Sequence, residues 1–233
     1  MKKALILICA LIAMPMFYAN VSAQDDEDRL IIASSSNGNV SLEFGTHMGW
    51  GYNIVKTNDF KPSGSGEFFV NILNLKIFPV NGFGIEVGVD YKTMDFDSKE
   101  DAFYLDGDKK IQVKSAKEAY PAGITKFRSL FRSNTFSAPV MLKFEAGTTS
   151  IGLGVEGNMN LTGRVKNKYF DGDQKIKDIK KGAQFTKYNY NFLATLSFDG
   201  TGVYFRYYPK SVSILPEGSL DVGFMALGVI FDM

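Results

Sequence analysis

Apolar and polar residues alternate with a period of two along most of this chain. From Phe83 to Tyr91 the odd positions are Phe83, Ile85, Val87, Val89 and Tyr91, with Gly84, Glu86, Gly88 and Asp90 between them. Strand side chains point alternately to opposite faces, so the stretch is predicted to be a strand with one apolar and one polar face. The apolar face either packs on a soluble core or meets lipid while the polar face lines a barrel. Val40 to about Tyr52 repeats the pattern, with Val40, Leu42, Phe44, Met48, Trp50 and Tyr52 against Ser41, Glu43, Gly45, His47, Gly49 and Gly51. Glu67–Phe78 changes phase: Phe68, Val70 and Ile72 share one parity and Leu73, Leu75 and Ile77 the other. One extra residue near Ile72-Leu73 restores a single face, which predicts a bulge there.

Five more strands follow the one from Phe83 to Phe96. In the fourth, Phe136, Ala138, Val140, Leu142 and Phe144 alternate with Ser137, Pro139, Met141, Lys143 and Glu145. In the fifth, Ile151, Leu153, Val155, Met159 and Leu161 alternate with Gly152, Gly154, Glu156, Asn158 and Asn160. The sixth runs from Tyr188 to Phe198, the seventh from Val203 to Tyr208, and Leu220–Met233 forms the last. Pro79–Gly82, Gly147–Thr149 and Asp199–Gly202 read as tight turns. Asn53–Gly66, Asp97–Asn134, Gly163–Lys187 and the region of Lys210 read as long connections. An even number of antiparallel strands, with short turns at one end and long loops at the other, predicts an all-β, eight-stranded up-and-down transmembrane barrel. Strands of about 9–11 residues, tilted, cross a bilayer, and a closed barrel satisfies every backbone group in lipid. A soluble ligand-binding barrel is the competing arrangement, and it requires the odd residues of Phe83–Tyr91 to turn inward.

The chain opens with Met1-Lys2-Lys3, an apolar run from Ala4 to Met14, and Val21-Ser22-Ala23. This is the pattern of a secretory signal peptide over 1–23, cleaved before Gln24. Its removal takes with it Cys9, the single cysteine of the chain, so no disulfide or thiol chemistry is expected of the exported protein. Residues 24–38, acidic and then rich in serine, read as a mobile periplasmic leader with short pairing around Leu30 to Ile32, and 39–233 as the barrel domain. Of 233 residues, 210 remain after cleavage, carrying 24 Lys and Arg against 25 Asp and Glu. A net charge near zero gives no general drive toward nucleic acid, and none is expected as a partner.

At the chain's end Met225, Leu227, Val229, Phe231 and Met233 alternate. This resembles the C-terminal signal read by the outer-membrane barrel-assembly machinery, although Met233 stands where an aromatic residue is usual. Phe136-Ser-Ala-Pro139-Val-Met-Leu-Lys143-Phe resembles a proline-containing strand of the PorT-like group. From about Asn39 to Met233 the chain resembles small outer-membrane barrels of the PorT-like and OmpX/OmpA-barrel type. That resemblance implies residence in the outer membrane of a Gram-negative-type bacterium, with lipid and the assembly machinery as partners. It fixes no biochemical activity.

With apolar faces toward lipid, the interior is expected to collect Glu43, His47, Glu86, Asp90, Lys143, Glu145, Glu156 and Arg206. An eight-stranded bore is about wide enough for side chains alone, so these charges are expected to form a salt-bridged plug, with Lys143 and Arg206 as first partners for Glu86 and Asp90. A proton or solute role is the alternative that intramembrane charges keep open. Glu86 and Asp90 are four residues apart on one strand, about 13 Å. That is wider than the about 5–9.5 Å of a glycosidase pair, although a cross-strand partner such as Glu156 remains open. His47 is the single histidine, so a multi-histidine metal site is excluded, and it has no G-x-S-x-G serine beside it. No catalytic residue and no cofactor is expected. A lipid-modifying enzyme built on His47 and a narrow solute channel are the alternatives to a non-enzymatic structural, adhesive or secretion-accessory role.

The long connections echo each other. Tyr104-Leu-Asp106-Gly107-Asp108-Lys-Lys110-Ile111 parallels Tyr169-Phe-Asp171-Gly172-Asp173-Gln-Lys175-Ile176. Two aspartates in each fall short of a calcium loop's ligand set, and Asp-Gly suits a hairpin tip. Strands three to six are therefore expected to continue above the membrane as two similar hairpins. Ile124, Phe127, Leu130 and Phe131 recur near helical spacing beside Lys126, Arg128 and Arg132, which suggests an amphipathic segment on an anionic surface. These three cations, with Lys175, Lys177, Lys180 and Lys181, are the loop candidates for binding an extracellular or periplasmic protein or a polyanion.

Overall fold

The computed structural model describes residues 33–34, 40–80, 82–209 and 214–232. The signal peptide, the rest of the leader, Asn81 of the first tight turn, Lys210 and Met233 lie outside the described residues. The first of these residues form two short strands, β1 (Ala33–Ser34) and β2 (Val40–Phe44). After them come β3 (His47–Lys56), β4 (Gly66–Val80) and β5 (Phe83–Ser98). A small hairpin, β6 (Asp101–Leu105) and β7 (Ile111–Ser115), precedes one helical turn at Ala116–Ala119. The two longest strands are β8 (Thr125–Ala146) and β9 (Thr149–Asp171), followed by β10 (Gln174–Ala183). The chain returns through β11 (Tyr188–Phe198), β12 (Thr201–Tyr208) and β13 (Gly223–Asp232).

β3, β4, β5, β8, β9, β11, β12 and β13 pair in that order, and β13 pairs back on β3 from Gly223↔Lys56 to Asp232↔His47. The result is a closed antiparallel eight-stranded barrel. β2 prolongs β3 beyond an irregularity at Gly45 (φ +59°), and it pairs with β4 on one side and β1 on the other. Leu30 to Ile32, where pairing of the leader is expected, lie outside the described residues, and Ala33 and Ser34 pair with Leu42 and Ser41. The predicted bulge is present: Asn71 opposes Asp90 and Leu73 opposes Val89, leaving Ile72 as the extra residue. Asp199 (φ +48°) and Gly200 (φ +77°) form a tight hairpin turn of the type that matches strand twist.

The odd residues of Phe83–Tyr91 point outward and Glu86 and Asp90 point inward. The inward-facing soluble arrangement is therefore excluded. Phe83 and Phe144 oppose each other near the short turns, with Phe198 and Phe231 on the same outer wall. Toward the long connections, Tyr91 opposes Phe136, and Tyr52, Tyr190 and Tyr207 continue a second girdle. Phe83 to Tyr91, Phe136 to Phe144 and Tyr190 to Phe198 are each eight residues apart. Eight residues span about 26 Å, or about 20 Å in height at a tilt near 40°. Between the girdles the wall is Ile85, Val87, Val140, Leu142, Leu153 and Val203. An apolar band between two aromatic girdles is the exterior of a membrane-spanning barrel, and water would not tolerate a patch of that extent.

Above the upper girdle the pattern inverts. Met94, Phe96, Phe131 and Val165 turn inward and are almost wholly buried, while Asp95, Arg132 and Arg164 take the outward positions. The wall there meets water, so the apolar face seeks the interior. This corrects two expectations. Much of 97–134 and 163–187 is strand rather than loop, since β8 starts at Thr125 and β9 runs on to Asp171. The Ile124–Phe131 segment is not helical either: it pairs with β9, burying Phe131 and leaving Leu130 on the outer wall. The two echoed motifs do sit at hairpin tips, in β6–β7 and β9–β10. β6–β7, however, forms its own two-stranded sheet and does not prolong barrel strands.

Candidate functional site

Inside the barrel, ionic groups from four strands join in one ring. Arg206 on β12 donates from Nε to Glu156 Oε2 (2.9 Å) and from Nη1 to Glu67 Oε1 (2.5 Å). Lys92 on β5 is paired with the other oxygen of Glu156. Its ammonium also donates to Asn158 Oδ1 (2.8 Å) and the Tyr208 hydroxyl (2.9 Å). Tyr208 closes the circuit by donating to Glu67 Oε2 (3.3 Å). Two carboxylates meet two cations, so the ring is neutral, and all four charged side chains are buried. The guanidinium lies 4.1 Å from the Phe69 ring centre and 4.7 Å from that of Tyr204, which wedge it across the bore.

Toward the short turns the interior holds separate pairs. Glu86 meets Lys143 at 3.2 Å and Glu43 meets Lys76 at 3.0 Å. Asp90 accepts from the Asn71 amide (2.9 Å) and forms no ion pair among the described residues. Arg206 therefore serves Glu67 and Glu156, while Lys143 is the partner of Glu86. His47 packs edge-on against Phe69, with ring centres 6.0 Å apart, and its Nδ1 lies 3.0 Å from the Thr46 hydroxyl. That hydroxyl is itself donated to Asn71 Oδ1 (3.1 Å). Glu145 is misplaced by the sequence reading: it has the inward parity but sits exposed at the short-turn rim, where the strand ends and water reaches it. Glu67, Lys92, Lys76 and Tyr208 were missed. Lys92 shares the even parity of Glu86 and Asp90, and Glu67 the parity opposite Phe68 and Val70, so the alternation held the signal for both.

Above the ring the bore is filled by a second, apolar layer. Phe96 stacks on Phe131 at 4.6 Å, and Phe224 meets Phe96 edge-on at 5.0 Å and stacks on Tyr208 at 4.0 Å. The connections fold down onto it. Phe60 packs edge-on against Phe103 (4.9 Å), which meets Phe131 at 4.9 Å, and Ile111, Ile214, Leu215 and Leu220 complete a buried cluster. Ser129 donates to Asn167 and receives the Phe103 N–H (2.9 Å), tying the β6–β7 hairpin to the wall. At the tip of that hairpin, Asp106 accepts the Asp108 and Lys110 N–H groups, both at 2.9 Å, which holds its carboxyl below the usual range. This carboxylate forms its own turn, and no acid cluster able to hold a metal occurs among the described residues.

The loop candidates gather on the outer wall of the extension. In β8–β9–β10, Arg132 opposes Arg164, which opposes Lys181; two residues up, Leu130, Lys166 and Ile179 share a row. Arg128, Lys168 and Lys177 form the next row, and Phe170 opposes Lys175 at the top, with the Lys126 ammonium 5.2 Å over the Phe170 ring. Lys180 is the exception: it opposes Val165 and belongs to the other face. Arg128 is held by Asp97 (2.5 Å) and Arg132 is paired with Asp95.

No family model matches the chain, and no curated protein matches it. Among solved structures, the crystal structure of Neisserial surface protein A is similar over 81% of this chain and 96% of that one, at 12% identity and a TM-score of 0.35. At that score the likeness adds nothing to the argument. The closed cylinder, its polar interior and its two girdles are what identify a small β-barrel of the outer-membrane type.

Proposed function

We propose that this chain is a non-enzymatic outer-membrane barrel of a Gram-negative-type bacterium, exported on a cleaved signal peptide and inserted by the barrel-assembly machinery, and that it acts through its extracellular extension. The role is structural, adhesive or accessory to secretion or assembly, in keeping with the PorT-like resemblance of Phe136–Phe144. The observation that supports this reading is the doubly closed bore. A neutral ring of Glu67, Arg206, Glu156 and Lys92 lies across it, and an aromatic layer folded from the wall and the connections lies above. Solutes have no continuous polar path through such a stack. Each carboxylate of the ring is held by at least one cation.

The test is electrical. The full-length mature chain, reconstituted in planar bilayers, is expected to be silent at moderate voltage. Reproducible unitary conductance steps that disappear when the bore is narrowed further, as in Ala226→Phe, would sink the closed-bore reading and favour a channel.

A further inference from the structure

The extension carries more positive charge than its fold explains. Lysines on an edge strand such as β10 guard it against pairing with another chain. That reason does not apply to Arg164, Lys166 and Lys168, because β9 is flanked by β8 and β10 on both sides. Nor does solvation alone account for the pattern: Arg164 directly opposes both Arg132 and Lys181, and Lys168 opposes both Arg128 and Lys177. Like charges directly opposite in a sheet are unfavourable. Asp95 and Asp97 neutralise the β8 column. Among the described residues no ion pair neutralises the β9 or β10 columns, and Arg164 Nε is buried without an acceptor. Lys166 registers the crowding: partial burial, then Lys168, Lys177 and Arg164, push its ammonium down to about 8.

The position of the array narrows what can answer it. Arg132 is four residues above Phe136 on the same outer wall, and Arg164 is three above the exposed Leu161. The cations therefore begin at the upper rim of the apolar band and climb the wall, interleaved with Leu130, Ile179 and Phe170. Neighbouring strands are about 4.8 Å apart and same-face residues about 6.6 Å, so adjacent cations can share one phosphate.

We propose that the outer face of β8, β9 and β10 binds the phosphate groups of lipid headgroups in the leaflet surrounding the upper aromatic girdle. The inference rests on the membrane-barrel reading. Headgroup phosphates supply the countercharge that the sheet lacks, beginning at the row of Arg132, Arg164 and Lys181 nearest the apolar band. The array anchors the extension to the membrane surface along one side of the barrel and leaves the opposite side and the hairpin tips clear.

The full-length mature chain, folded in maltoside micelles, is titrated with diphosphoryl lipid A in the same micelles, and retained lipid is counted by native mass spectrometry. Arg164→Gln/Lys166→Gln/Lys168→Gln is expected to weaken retention about tenfold or more, as loss of three charge contacts implies. Lys180→Gln, on the other face, is expected to leave it unchanged. Should the β9 triple variant not fold, Lys175→Gln/Lys177→Gln/Lys181→Gln on β10 probes the same face. Equal retention of dephosphorylated lipid A, unchanged retention in the folded triple variant, or an equal loss in Lys180→Gln would each overturn the proposal. So would displacement of the lipid by inorganic phosphate at equal concentration, which would mark a free-anion site. Flotation with phosphatidylcholine vesicles separates the two levels. A chain that does not float undoes the membrane reading, whereas one that floats without phosphate preference undoes only this inference.

Discussion

Replacing Arg206 by methionine keeps most of the volume between Phe69 and Tyr204 and removes the charge. Glu156 retains Lys92, but Glu67 is left with the Tyr208 hydroxyl at 3.3 Å as its one remaining partner in the ring. The perturbation therefore strands one buried carboxylate. Removing one partner of a buried ion pair costs about 3–5 kcal/mol, mostly through the charge left behind. With a urea dependence of about 2 kcal/mol per molar, a loss of about 4 kcal/mol lowers the unfolding midpoint by about 2 M. Trp50, the single tryptophan, lies on the lipid-facing wall with 64% of its surface exposed, so its emission follows the loss of the barrel directly. The decisive comparison is the double variant Glu67→Gln/Arg206→Met. If the cost is the stranded carboxylate, neutralising it restores roughly half the loss even though a second native side chain has been removed. A midpoint for Arg206→Met within about 0.5 M of the wild type would refute the reasoning. So would a double variant less stable than the single one, since the charge left on Glu67 would then not be the source of the cost.

Two further outcomes follow from the wall. Leu153→Arg, in the middle of the apolar band, is expected to cost about 2–4 kcal/mol in the same urea titration, whereas Leu130→Arg, above the girdle, is expected to change it by well under half that. Lys166, observed by NMR after reductive methylation with carbon-13, should titrate near 8 in maltoside micelles and rise toward the usual lysine range when diphosphoryl lipid A is added. The sign for stability is set by a folded-state value below the unfolded one. The unfavourable contribution of this group is complete below about 8 and is relieved as pH climbs from there through the unfolded value near 10.5. A midpoint that stays in place when lipid is added would count against headgroup contact at this residue.

The barrel was legible because lipid imposes one rule on a strand, apolar outward, and a period of two reports it without tertiary information. The bulge at Ile72, the three short turns and the direction of Phe83–Tyr91 all follow from that rule. The same rule hid the extension. From Lys126 to Asn134 the outward residues are Arg128, Leu130, Arg132 and Asn134, and the inward ones Ser129, Phe131 and Ser133. Read for an apolar outer face, this segment shows no strand; read for a solvated wall with an apolar filling, it is one. The interior ring was half legible. Parity identifies which charges point inward, and it held Lys92 and Glu67 as clearly as Glu86. Pairing between β5, β9 and β12 depends on which side chains meet across the bore, and that is fixed by closure and stagger rather than by local pattern. Glu145 fails for a third reason: parity gives direction but not height, and its strand ends at the rim.

The point where the pattern inverts along β5 is also where the chemistry of the wall changes. Tyr91 is the last outward aromatic residue, Lys92 belongs to the ionic ring, and Met94 and Phe96 begin the apolar filling. Inside, Lys76, Lys92, Lys143 and Arg206 each face a carboxylate, because an unpaired charge taken out of bulk water is costly. Outside and above, exposed cations need no such partner, so their mere number argues nothing. Their registry is what argues: three consecutive outward positions of an interior strand of the extension are Arg164, Lys166 and Lys168, and two of them oppose a cation on either side. A sheet selected for folding alone alternates signs at such positions, as β5 and β8 do with Asp95 and Arg132. The arrangement is explained if the countercharge lies outside the protein, starting at the height where the apolar band ends.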